Sequence, residues 1–170
     1  MKRAVIMFVI LVLCLILPGT VFHYLSWSGI KPDLAMLWVI YIALHHRTVR
    51  GVVYGFFIGL VVDMYLGRYI GLYAIVLAVV ALLISYLQQR WYKESLFITM
   101  VLVFCLTILG QTLMVLLADT AGLQWSSGDA FKVIMGISLY NSLLVPLTYP
   151  IIHRSFTSGF LYKKSKFEQQ

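Results

Sequence analysis

Asp63 is the residue whose type and surroundings most suggest chemistry: a carboxylate inside an apolar stretch, between Val61, Val62, Met64, Tyr65 and Leu66. An ionised acid at the bilayer centre costs about 2.5–3.5 kcal/mol on insertion scales, and such acids mark proton paths, substrate sites or partner contacts. Acid–base catalysis asks for a second acid, a histidine or a metal ligand nearby, and the sequence places none beside Asp63. Its plainer reading is a carboxylate one turn from the surface, snorkelling toward Arg68 or Lys132. His45 and His46 stand at a helix end, where a contact with the helix dipole accounts for them better than a metal site. Cys14 and Cys105 lie singly in apolar runs and match no zinc or redox spacing. No Ser-His-Asp, P-loop or zinc pattern is present. The expectation is a non-enzymatic protein without metal or cofactor, and an intramembrane enzyme built on Asp63 ranks last.

The remaining polar groups inside apolar runs read as helix contacts. Gly51, Gly55, Gly59, Asp63 and Gly67 follow one another at intervals of four and form one slowly drifting stripe. Small residues at that spacing let a second helix approach backbone to backbone. The stripe can therefore pack helices or receive a partner's helix. Ser95, Thr99, Thr107 and Gln111 fall at multiples of four, and Ser138, Asn141 and Ser142 lie in the last apolar run. Amide side chains in lipid seek partners on other helices. Gln111 and Asn141 are expected in the bundle interior, as interhelical contacts or as the lining of a polar cavity. Asp33, after Pro32, is a good N-cap. Pro146 and Pro150 each remove a backbone hydrogen bond and are expected to bend or break the last helix.

The elements that hold these residues follow from composition. Of 170 residues, 62% are hydrophobic and only 11% charged, too few charges to clothe a soluble domain. The apolar residues come in long runs, and spanning a core about 30 Å thick takes roughly 20 of them per helix. Six transmembrane helices are expected, at about 4–25, 33–47, 51–66, 69–87, 95–118 and 130–152, in a single all-α membrane domain over 1–154. The first is read as retained rather than cleaved, with a kink at Pro18. The second is short, and a re-entrant hairpin with the third is the alternative. Residues 155–170 read as a basic tail.

The formal charge of +7 fits membrane topology better than nucleic acid, because no compact basic patch with interleaved aromatics is present. Threading the spans alternately puts Lys2, Arg3, Arg47, Arg50, Arg90, Lys93, Arg154, Lys163, Lys164 and Lys166 on the side of the N-terminus. Only Lys31, Arg68 and Lys132 fall opposite. Basic loops stay in the cytoplasm, so both ends are expected inside, in a plasma (inner) membrane protein.

One family shares this layout. Pro32-Asp33 before a bulky apolar helix, Arg50-Gly51, Gly55-Phe56, Gly59-Leu60, Asp63, Gly67 and Gly71-Leu72, with the run NSLLVPLTYP at 141–150, resemble the rod shape-determining MreD proteins. His45-His46 and Tyr73 depart from that pattern. The resemblance implies a component of the bacterial cell-elongation machinery. It implies association with MreC and, through it, with MreB, RodA and a class B penicillin-binding protein, alongside membrane lipids. It also implies a fold similar to the substrate-binding subunits of energy-coupling-factor transporters. Small-solute binding is therefore the alternative function.

Overall fold

A computed structural model describes residues 2–20, 30–45, 49–67, 69–91, 95–122 and 126–157. Among them are six α-helices: α1 (Lys2–Ile16), α2 (Leu34–His45), α3 (Val49–Leu66), α4 (Leu72–Trp91), α5 (Leu96–Thr120) and α6 (Ser127–Thr157). Two of these, over Leu96–Thr120 and Ser127–Pro150, are long and apolar enough to cross a membrane by length and composition.

α2 is the hub. It packs against α1, α3, α4, α5 and α6. Every residue from Leu34 to Leu44 is at most 8% exposed. A helix apolar on all sides must be enclosed on all sides, and its neighbours here do so. Twelve residues rise only about 18 Å, short of a bilayer core. Its brevity belongs to an encased helix flanked by longer ones. Val76, Leu77, Val80 and Ile84 of α4, Val103 and Leu106 of α5, and Val145 of α6 complete the core around it.

The outer surfaces of the other helices stay apolar. Phe57, Leu82, Phe97, Leu116, Leu143 and Leu147 are all more than half exposed. Water would penalise such a surface, at about 25 cal/mol per Å² of apolar area, whereas lipid tails do not.

Several helix boundaries differ from expectation. α1 ends at Ile16 instead of bending at Pro18 and running to residue 25. Leu17, which precedes proline, is disfavoured from helix. The chain closes instead into a turn, with Gly19 and Thr20 donating their N–H groups to the Ile16 carbonyl at 3.0 and 3.1 Å. Residues 21–25 lie outside the described residues. α4 continues to Trp91, through glutamines and an arginine read as connector, because these side chains suit a helix well. α6 begins at Ser127 and runs on to Thr157, into the stretch assigned to the tail. It passes both Pro146 and Pro150 as one element rather than breaking there. Residues 158–170 lie outside the described residues.

Candidate functional site

The polar residues of the apolar runs gather at one end of α2. Asp33 caps that helix, its Oδ1 accepting the Met36 N–H at 2.9 Å. This is the N-cap to N3 bond that satisfies a free amide of the first turn. Its Oδ2 accepts from Gln111 Nε2 on α5 at 3.0 Å. Asn141 on α6 reads the Asp33 backbone on both sides, its Oδ1 accepting the N–H at 3.0 Å and its Nδ2 donating to the carbonyl at 3.2 Å. The same Nδ2 lies 3.5 Å from the Thr107 hydroxyl of α5. Asn141 and Thr107 are fully buried. Three helices are thus tied to one residue, and neither Asp33's backbone nor its carboxylate is left without partners.

Asp63 is 2% exposed. Its carboxylate sits on the last turn of α3 and faces the first turn of α4. Oδ2 accepts the N–H of Gly71 at 2.9 Å and of Ala74 at 3.1 Å, and Oδ1 accepts that of Tyr73 at 2.9 Å. A helix N-terminus offers unsatisfied N–H groups and a partial positive charge, so an anion there needs no base beside it. The ion pair with Lys132 weighed for Asp63 is not what these contacts form. Lys132 lies 3.9 Å from Asp129, both well exposed, and Arg68 lies outside the described residues. Asp63 ends up as an N-cap that α3 supplies to α4.

The glycine stripe meets the same helix. A Cβ on Gly59 would lie 2.5 Å from both the Ala74 Cα and the Tyr73 carbonyl oxygen. One on Gly55 would lie 2.8 Å from the Leu77 carbonyl oxygen. α3 and α4 therefore run antiparallel with their backbones in contact, and no larger residue fits at Gly59. Gly51 is buried on the same helix. Gly67 has a different task from the one its spacing suggested. It lies just past the end of α3 at φ +64°, in open space, and donates its N–H to the Asp63 carbonyl at 2.9 Å. That left-handed conformation is why glycine closes α3.

Tyr73 joins the two acids. Its N–H is one of the donors to Asp63, and its phenol lies within hydrogen-bonding reach of the Asp33 carboxyl. Sequence reasoning marked Tyr73 only as a departure from a pattern. The available signal was the first turn of a helix, one short glycine-bounded link beyond a buried acid. At the opposite end of α2, Tyr41 and Thr148 share a 2.7 Å hydrogen bond between hydroxyls, and His45 Nδ1 lies 2.8 Å from the Tyr41 carbonyl oxygen. The His45 contact falls at the C-terminal end of α2, where the dipole favours it; His46 lies outside the described residues.

Two cavities flank Tyr73 and Leu66. One, of about 310 Å³, reaches Cys14, Pro18, Lys31, Asp33 and Tyr65. The other, of about 510 Å³, lies among α3, α4, α5 and α6 and is lined by Asp63, Tyr69, Leu72, Gln111, Met114, Val115, Ala118 and Val133 as well. Among the described residues no group of three or more His, Cys, Asp or Glu could hold a metal ion.

A family model for rod shape-determining protein MreD matches residues 1–157. No curated protein and no solved structure matches the chain. The family match covers every helix described above, including the capped hairpin and the Asn141 segment, and it makes this a membrane protein with a role in rod shape: the chain belongs to the MreD family.

Proposed function

We propose that the protein is a six-span, non-enzymatic scaffold of the cell-elongation machinery in the plasma (inner) membrane, with both ends in the cytoplasm, that holds MreC beside the peptidoglycan synthases. The observation that carries the reading is the family match over 1–157. The basic residues support the orientation, since ten of thirteen fall on one side when the six helices are threaded alternately. The α3–α4 hairpin supports a particular docking face. Gly55 and Gly59 are closed off by α4, so a partner's helix meets the outward side of α3, where Val53, Phe56, Phe57 and Met64 are exposed. Side-chain packing against such a ridge can drive helix association in lipid. MreC reaches MreB, RodA and a class B penicillin-binding protein in turn.

Co-purification tests this reading. Val53→Ala combined with Phe57→Ala is expected to lower MreC recovery several-fold and widen cells while the protein still accumulates in the membrane. Unchanged recovery with normal cell width sinks the docking face. A second reading, a solute-binding subunit like those of energy-coupling-factor transporters, is favoured by the 510 Å³ cavity with Gln111 in its wall. Co-purification of an ATPase pair in place of MreC would select it.

A further inference from the structure

Gln111 is 6% exposed, yet its amide is only half used. Nε2 faces the Asp33 carboxylate, which can only accept. The carbonyl arm, Oε1, is thereby turned away from Asp33. Among the described residues no donor meets it. The oxygen is not sealed off by protein, and an unpaired acceptor on a cavity-lining side chain is a place for a ligand's donor.

The cavity beside it has the form of a small-molecule site. Its volume of about 510 Å³ lies in the usual range for such sites, roughly 300–1,000 Å³. Leu66, Leu72, Met114, Val115 and Val133 supply an apolar body. The polar part of the wall is one acid with Tyr69, Tyr73 and Gln111. Asp63 lines it, Asp33 lies directly behind Gln111, and no described lysine or arginine lines it. The amides of Gly71, Tyr73 and Ala74 already occupy both Asp63 oxygens, which leaves Gln111 Oε1 as the amide acceptor available to an occupant, with the Tyr69 hydroxyl on the same wall. An anionic head would meet like charge at short range, whereas a neutral or cationic donor would not.

We propose that this cavity is a binding site for an apolar molecule whose head is a non-anionic hydrogen-bond donor, the donor meeting Gln111 Oε1 and the chain lying along α5 and α6. The proposal rests on the solute-binding reading of this cavity and not on the scaffold reading, and MreC recovery and ligand occupancy are separate readouts, so each can fail alone.

The test uses the full chain in lipid nanodiscs with a diazirine-bearing decanol as the probe, labelled residues being identified by mass spectrometry. Saturable labelling is expected at Met114, Val115 and Val133. Decanol and decylamine are expected to compete at concentrations at least tenfold below decane and decanoate; their order relative to each other tells a hydroxyl from an ammonium ligand. Val133→Phe, which fills the cavity away from Gln111, is expected to cut labelling at least tenfold with the protein still monodisperse. Gln111→Leu is expected to remove the advantage of decanol over decane. Should Val133→Phe not fold, the competition order on the native chain decides alone. Equal competition by decanoate, or labelling confined to the outward faces of α3–α6, overturns the proposal.

Discussion

Asp33 and Asp63 lie at the same end of the bundle, and each caps a helix, but the partners differ in kind. Asp63 is held by three backbone amides at the start of a single helix, those of Tyr73 and Ala74 within α4 and of Gly71 just before it. Asp33 is held by first-turn amides of its own helix and by side chains of α4, α5 and α6. Backbone donors cannot be exchanged or turned around, whereas an amide side chain can. The hairpin of α3 and α4 is therefore a rigid unit set by main-chain geometry, and the Asp33 hub is an adjustable joint between helices.

This contrast predicts an order of damage, measurable as thermal unfolding of the purified protein in mild detergent. The largest effect is expected from Gly59→Ala. Its Cβ falls on backbone that has no rotamer to move, so the cost is at the top of the overpacking range, about 3 kcal/mol. A small shift would mean that the hairpin is not rigid. Next comes Asp63→Asn. The new NH₂ group faces helix amides that can only donate, and about 2 kcal/mol is lost with the charge-assisted bonds. Asp33→Asn is expected to cost less, about 1 kcal/mol, because Gln111 can turn its amide and accept from the new NH₂. Equal shifts for the two Asn variants would erase the distinction drawn here. Tyr73→Phe removes the link between the sites and leaves both caps, so a loss of about 1 kcal/mol or less is expected. Combined with Asp33→Asn, it should be less than additive, since both remove the same contact. Lys132→Gln, outside both regions at an exposed pair, should leave unfolding unchanged within error.

The two regions also differ in how far they could be read from sequence. The Gly55–Gly59–Asp63 spacing was legible because helical periodicity is local. The partner was not, since nothing in that spacing says which helix approaches. Asp63 misled for a related reason: a search for its counter-charge considers side chains, and its partners are amides present at every helix start. The Asp33 cap was legible from Pro32-Asp33, but the contacts from Gln111 and Asn141 lie 78 and 108 residues away. Those two were recognised as buried polar groups because amides in an apolar run need partners, and only the fold says that they share one. α2 resisted for the opposite reason. Its 12 residues carry no amphipathic pattern, so periodicity could not assign it a face, and it has no lipid-facing side to assign.

Those long separations bear on biogenesis. When α2 leaves the ribosome, none of the side chains that will complete its N-cap has been made; Gln111 follows 78 residues later and Asn141 108. Until then α2 is too short to hold a span by itself and has Asp33 at its end. The central helix is thus finished at its N-terminus only when α6 supplies Asn141. A chain interrupted before Ser127 has Gln111 for the Asp33 carboxylate but lacks Asn141, so the backbone N–H and carbonyl at the start of α2 stay without the amide that pairs them.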